Sequence, residues 1–478
     1  MKFLQTILAT FIGLLLFFGI IVLVFAGIFS SAAAEEEINI EDKTVLKIEL
    51  NLPIVERDQE DPFSTILFPG TNTGSIGLLS LKEAIKAAKA NDNIEGIYLD
   101  AGLTLAGFAT LEEIRNALLD FKESGKFIVA YSEILSEKGY YLASVADYIY
   151  VHPLGQLEFN GFAVEVTFFK ETLEKLGVEA QVFKVGDFKS AVEPFTRTSM
   201  SDSSRLQTQE YLENLYSVYL EGVAKSRDMS PQALRNLADS MKVQTPLQAK
   251  EYGLITDTSY YDYAIQQVGR ELGLEVDEDG NINVDEVNFI SLRKYEKSLA
   301  QQPNDYSRNR IAVIVATGTI MSGEGEGTVI GSETFAKEIR QARMDDNVKA
   351  IVLRINSGGG SSIASDAIWR EVYLAQQVKP VIASMSDVAA SGGYAIAMAC
   401  DTIVAHPNTI TGSIGVFAVL PNAQELLNKL GITTDVVETG AFSNIYSLTN
   451  PLSEAEYQIL QQSAEQVYED FTRKAAQG

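Results

Sequence analysis

Glu133 to Pro153, EILSEKGYYLASVADYIYVHP, aligns without a gap on Asp387 to Pro407, DVAASGGYAIAMACDTIVAHP, at an offset of 254 residues. The register holds upstream, where Asn93, Ile97 and Leu99 fall on Asn347, Ile351 and Leu353. It holds downstream as well, where Lys175, Leu176 and Gly177 fall on Lys429, Leu430 and Gly431, and Gly186 falls on Gly440. Self-similarity at one offset means two copies of one folding unit. The copies diverge at two positions. Ser391 in the second copy stands where the first has Glu137, and Lys189 in the first stands where the second has Ser443. Each copy keeps one member of a Ser/Lys pair, the pattern expected of a duplicated enzyme that retains one composite site.

Outward from these stretches, the second copy alternates β-branched runs with helical patterns. Ile311 to Val315 and Val348 to Ile355 read as strands, with a helix from Glu333 to Met344 between them. The glycine-rich Asn356 to Gly360 comes next, then a helix from about Ser361 to Gln377, a strand from Val381 to Met385 and a helix beginning near Ala390. Short strands separated by helices predict parallel β-α-β units. The expected fold is therefore α/β, with one unit over residues 40–300, a polar linker at 301–310 (QQPNDYSRNR) and a second unit over 311–478. The first copy carries an extra loop around Arg57 to Gly74. Tyr468 to Gly478 matches Tyr216 to Ser226, but nothing corresponds to Arg227 to Asp257 of the first copy, so the second unit reads as truncated.

A chain of 478 residues suits two cores of about 200 residues each. Its 38 basic and 64 acidic residues give a net charge of −26, which argues against a nucleic-acid partner, since that needs a basic face. The single cysteine, Cys400, excludes an intrachain disulfide and any multi-cysteine metal site, and its apolar setting predicts a small core residue. Phe3 to Phe29 is almost wholly apolar and long enough to span a bilayer, so residues 1–30 are expected to be an uncleaved transmembrane helix. Lys2 before it and Glu35 to Glu37 after it predict a cytoplasmic N-terminus and an exported body.

A serine hydroxyl needs a base beside it. The two histidines, His152 and His406, occupy equivalent repeat positions before a proline, which suits a structural role and leaves Ser391 without a histidine of its own. Lysine can serve instead if burial brings its pKa down, because at the ordinary value only about one lysine in a thousand is neutral near pH 7.4. Ser391 lies between a strand and a helical run, where free backbone N–H groups favour developing negative charge. Asn356 to Gly360 (NSGGG) leaves a strand and could aim N–H groups at an oxyanion, whereas the first copy lacks the triple glycine near Gly102 to Gly107. Asp387 is placed to cap the helix bearing Ser391. The acidic run from Asp277 to Asp285 has the wrong spacing for an EF-hand and reads as an exposed loop.

Four stretches in order, Asp187 to Phe195 (DFKSAVEPF), Arg354 to Gly360 (RINSGGG), Ser386 to Tyr394 (SDVAASGGY) and Thr411 to Gly415 (TGSIG), resemble the long, duplicated form of the signal peptide peptidase A family. The family's members are membrane-anchored serine proteases with a Ser/Lys dyad on a Clp/crotonase-type fold. The resemblance implies Ser391 as nucleophile, Lys189 as general base and Ser413 as the residue that positions the lysine amine. It implies an oxyanion hole from the N–H groups of Gly359 and Gly392, with Gly358 in the same loop standing where the family commonly has proline. It further implies two tandem crotonase-like units in a ring-like homo-oligomer, a tetramer, on the periplasmic side of the inner membrane. Signal peptides left in the membrane are the implied substrates, and no cofactor, metal or nucleic acid is required. Acyl-CoA chemistry on the same fold, or a membrane scaffold with a decayed site, are the alternatives that labelling at Ser391 would separate.

Overall fold

Strands that are apolar on both faces belong in parallel sheets covered by helices on each side, and each repeat builds one. The computed structural model describes residues 10–20, 38–58, 74–278, 280–301 and 307–477, together with Gln5 and Ile7. In the first unit, β1 (Thr44–Glu49), β2 (Ile94–Asp100), β3 (Phe127–Leu135) and β4 (Tyr148–Leu157) run parallel. The strand at Glu179–Val185, β5, stands apart from that sheet, whose edges are closed by β6 (Asp257–Thr258) and β7 (Phe289–Ser291). In the second unit, β8 (Arg310–Met321), β9 (Val329–Gly331), β10 (Val348–Gly360), β11 (Val381–Ala390) and β12 (Thr402–Val404) form the matching parallel sheet, and β13 (Ile410–Gly412) continues alongside β11. A last strand, β14 (Val416–Asn422), leaves this sheet altogether.

The repeat offset is visible in three dimensions. Ile97 and Leu99 of β2 and their counterparts Ile351 and Leu353 of β10 are all buried, each in the core of its own unit. The N–H of Thr44 donates to Asn93 O at 2.9 Å, and that of Arg310 donates to Asn347 O at 2.8 Å, so both sheets open in the same way. Helices that position the site are α1 (Leu78–Ala90), α2 (Phe108–Lys122), α3 (Glu137–Ala143) and α4 (Asp202–Arg227) in the first unit. Their counterparts in the second are α5 (Ser332–Met344), α6 (Ser362–Gln376), α7 (Gly392–Ala397) and α8 (Glu454–Ala475).

The strand expected to end at Ile355 runs on to Gly360, because the glycine run stays paired with β8 as far as Ile320 opposite Gly360. Likewise β11 runs to Ala390, held there by β13. Residues 10–20 are helical with exposed side chains, and among the described residues no helix is long and apolar enough to cross a membrane. The expected anchor lies largely outside the described residues, as do 302–306 of the linker and 59–73 of the extra loop.

Candidate active site

Lys189 reaches the second unit because the strand before it is stitched there. β5 pairs antiparallel with β14 from Glu179 opposite Asn422 to Val185 opposite Val416. Gly186, at φ +104°, then turns the chain so that the Lys189 N–H donates to Gly186 O at 3.2 Å. The lysine is 7% exposed.

Ser391 sits at the junction of β11 and α7 with φ 53° and ψ −118°, a conformation L-residues rarely adopt. Such strain costs of the order of 1–3 kcal/mol and persists only where neighbours impose it. Here the imposing contact is visible: the Ser391 N–H donates to Gly412 O at 2.9 Å, the last rung of β11 against β13. One residue further along, Ser413 is also left-handed at φ 50°. The pairing of Ala389 with Thr411 and Ala390 with Gly412 thus delivers both serines to one point.

At that point Lys189 Nζ lies 3.0 Å from Ser391 Oγ, 3.0 Å from Ser413 Oγ and 2.9 Å from Ser413 O. No carboxylate is among these partners. Burial alone depresses the pKa of the amine below its ordinary value. A neutral amine has two N–H donors and one lone pair. The two oxygens of Ser413 take the donors, which leaves the lone pair for the Ser391 O–H. The Phe417 ring, 5.9 Å from Nζ, covers the amine from another side.

The glycines come together less evenly. Gly392 is the first residue of α7, so its N–H has no acceptor within the helix. Gly359, at φ +97°, packs so closely that a Cβ there would stand 2.5 Å from Gly392 N and 2.9 Å from Ser391 Cβ. Its own N–H, expected to be free, instead donates to Ser357 Oγ at 3.1 Å, while that hydroxyl donates to Gly318 O at 2.6 Å. The tether exists because β10 is still paired with β8 at this point. A Cβ on Gly358 would meet nothing within 4 Å, so the position tolerates a side chain.

Sequence reasoning assigned Asp387 to the wrong helix. Its carboxylate accepts from Thr110 N at 2.9 Å and Thr110 Oγ1 at 2.6 Å, capping α2 of the other unit. It gets that close because Gly107, the N-cap residue, has no Cβ: one there would stand 2.2 Å from Asp387 Cγ. Arg354 was also missed. It donates to both oxygens of Glu56 at 2.9 and 3.1 Å, to Ser384 Oγ at 3.1 Å, and pairs with Glu113 at 2.7 Å. Glu113 in turn faces His406 Nε2 at 3.2 Å, so this histidine belongs to the joint between units. Burial works to raise the pKa of Glu113, but the hydrogen bonds with His406 and Lys82 and the Arg354 charge outweigh it and hold the carboxyl well below the usual range. An arginine inside an otherwise apolar strand was the available signal, since arginine is rarely buried without a partner. Cys400 is a core residue of the second unit, its thiol pushed up to about 12 by burial.

The same place in the first copy is occupied differently. Glu137, at the Ser391 position, turns its carboxylate onto the N–H groups of Asn160 and Gly161 at 2.9 and 2.8 Å. Burial raises its pKa. Two cavities flank Ser391 in the second copy. One of about 460 Å³ is walled by Trp369, Met398, Val416 and Phe471, and one of about 760 Å³ by Phe188, Gly318, Gly358 and Val388.

The chain matches the model of peptidase family S49 over residues 120–275 and 374–478. It is similar to Protease 4 of Haemophilus influenzae, 35% identical over 83% of this chain and 65% of that protein. Protease 4 of Salmonella typhi is 38% identical over 82% of this chain and 63% of its own length. The chloroplastic serine protease SPPA of Arabidopsis thaliana is 35% identical over 85% and 59%. The chain thus spans somewhat under two thirds of the length of these curated relatives.

Proposed function

The chain belongs to peptidase family S49, and on that premise we propose that it is a serine endopeptidase that cleaves peptides through an acyl-enzyme, with Ser391 as nucleophile and Lys189 as base. The observation that carries this reading is the 3.0 Å separation of Lys189 Nζ and Ser391 Oγ around a buried amine without a carboxylate partner. Neutral Lys189 accepts the Ser391 proton as the hydroxyl oxygen attacks the peptide carbonyl. Negative charge on the carbonyl oxygen develops against the Gly392 N–H and the α7 N-terminus, while Gly359 keeps that space clear. Gly359 N–H joins as a second donor by turning away from Ser357. As the tetrahedral intermediate collapses, Lys189 protonates the leaving amine. It then takes a proton from water, whose oxygen releases the acyl group from Ser391. Ser413 holds the amine in orientation throughout. No step calls for a metal or an organic cofactor.

Signal peptides and similar apolar peptides left in the bilayer are the substrates this reading favours. The apolar stretch from Phe3 to Phe29 would anchor the enzyme beside them, with the crotonase-like units on the exported side of the inner membrane.

Assembly into a ring follows from the repeat. β14 of the second unit pairs with β5 of the first. Applying the 254-residue offset to both strands gives the complementary pair, residues 162–168 with residues 433–439. Neither segment is helical, and among the described residues neither is in a strand ladder. Val164, 45% exposed, would face Val437, 96% exposed. Residues 433–439 of one copy would add to 162–168 of the next, a head-to-tail contact that closes into a ring when the rotation permits.

The test is intact-mass labelling of the full chain in detergent with a fluorophosphonate, alongside cleavage of a fluorogenic peptide. Labelling and cleavage lost together in Ser391→Ala and Lys189→Ala are expected. Labelling unchanged in Lys189→Ala would remove the lysine from the mechanism. A folded chain that neither labels nor cleaves would favour acyl-CoA chemistry or a scaffold.

A further inference from the structure

The cavity of about 460 Å³ beside Ser391 is apolar on most sides, yet it contains three charges that the mechanism does not use. α8 presents Val467, Asp470, Phe471 and Lys474 to it, the spacing that puts four residues on one helix face. α6 supplies Asp366 and Trp369 from the facing side. Lys474 pairs with Asp366, and with Asp470 Oδ2 at 2.7 Å, and its ammonium lies 4.4 Å from the centre of the Trp369 ring. The cation is the buried member, its side chain 11% exposed against 55% for Asp366 and 42% for Asp470. Burial works to lower the pKa of this amine, but the two carboxylates outweigh it and keep the ammonium charged.

Resting on the peptidase reading above, we propose that Lys474 is a specificity-determining residue of this cleft. Its ammonium, clamped by Asp366 and Asp470 over Trp369, reserves the cavity for a neutral, apolar substrate side chain next to the scissile bond. A lysine or arginine entering between Trp369 and Phe471 meets a fixed positive charge whose carboxylates are already taken. An acidic side chain must first pass the two more exposed aspartates. An apolar side chain meets neither penalty and buries against Trp369, Met398 and Val416. Discrimination here comes from what the cavity repels as much as from what it contacts.

The charge arithmetic gives opposite outcomes for two sets of variants. Lys474→Ala leaves Asp366 unopposed and Asp470 paired with Arg473 alone, so basic side chains become acceptable. Asp366→Asn with Asp470→Asn leaves the ammonium unopposed, so acidic side chains gain and basic ones lose further. The experiment measures kcat/KM of the full chain in detergent on fluorogenic peptides that differ only in Leu, Met, Lys or Glu before the leaving group. Fluorophosphonate labelling of Ser391 and a thermal melt are run on every variant. The basic-to-apolar ratio is expected to rise at least about tenfold in Lys474→Ala, the scale on which single pocket changes discriminate, and to return in Lys474→Arg. The acidic-to-apolar ratio is expected to rise in the double asparagine variant. If every substrate loses rate in proportion and neither ratio moves, Lys474 only fastens α8 to α6 and the proposal is overturned. If the wild-type chain neither labels nor cleaves, the peptidase reading falls first and takes this proposal with it.

Discussion

Asp387, four residues before the candidate nucleophile, accepts hydrogen bonds from both the backbone N–H and the hydroxyl of Thr110 in the other unit. One carboxylate therefore caps a helix of the first unit and fixes the end of the strand that carries Ser391. Loss of an N-terminal cap costs about 1 kcal/mol, so Asp387→Ala should lower stability by that amount. It should also slow fluorophosphonate labelling, since Ser391 loses its reference to the unit that holds Lys189. Asp387→Asn keeps an acceptor and should recover most of both. Equal melting temperatures and labelling rates across the three proteins would show the contact to be idle.

Lys189 carries a pH signature whose sign is fixed. Burial holds its pKa below the model-compound value of 10.5. The deprotonated amine is the proposed base, so labelling should rise with pH through a midpoint below 10.5. In the unfolded chain the lysine regains its ordinary value. Between the two values the unfolded state holds the extra proton, so stability rises with pH. The burial cost is present in full below the folded value and gone above the unfolded one. Lys189→Met should abolish labelling yet raise the melting temperature at pH 7, with a flatter rise towards pH 10.

Gly359 and Gly358 should separate cleanly. A methyl at Gly359 collides with Gly392 N, the proposed oxyanion donor, and removal of one such donor costs about 10²–10³ in kcat. A methyl at Gly358 meets open space and should stay within about 0.5 kcal/mol of wild type. Peptidase assays and chemical denaturation of Gly359→Ala and Gly358→Ala would decide this. A similar loss of rate in both variants would contradict it.

Arg354 is the cation of the joint between the units, with Glu56, Glu113 and Ser384 around it. Arg354→Ala strands the buried Glu56 carboxylate and leaves Glu113 to Lys82 and His406, and breaking a buried pair this way costs about 3–5 kcal/mol. Urea denaturation should report that loss, together with loss of labelling at Ser391 even though no catalytic group was touched.

The proposed ring predicts where assembly fails. Val437 and Val164 are exposed in the single chain, so Val437→Pro or Val164→Pro should leave its melting temperature near that of wild type while reducing the mass seen by light scattering. A mass that stays with both prolines would place the contact between copies elsewhere.

Much of this was readable in the sequence because the repeat supplied an internal control. The expected strands and helices of the second copy start within a few residues of their predicted positions, although β8, β10 and β11 run five or six residues further, and the divergence at Ser391 and Lys189 pointed to the two groups that lie 3.0 Å apart. What the sequence could not reveal were relations between the units. Asp387 reads locally as a cap for its own helix, and only the packing of Gly107 against it redirects the carboxylate. The engagement of Gly359 N–H with Ser357 depends on how far β10 stays paired with β8, a register no local pattern specifies. Lys474 and Asp366 stand 108 residues apart and meet only because α8, lying on β5 and β14, carries the lysine over to α6.

Dividing the dyad between two repeats also has a consequence in time. Lys189 and Ser391 are separated by 202 residues, and a ribosome working at about 5–20 residues per second needs roughly 10–40 s to cross that distance. Throughout that interval the nascent chain holds Lys189 with neither the nucleophile it would activate nor the second unit that buries it. On the proposed mechanism, proteolytic capacity would arrive only when the second repeat has emerged, folded and docked against the first. A prematurely terminated product that ends within the first repeat is consequently harmless to the peptides around it. Splitting the proposed dyad between two repeats would in this way give the delayed onset that other proteases obtain by being made as inactive precursors.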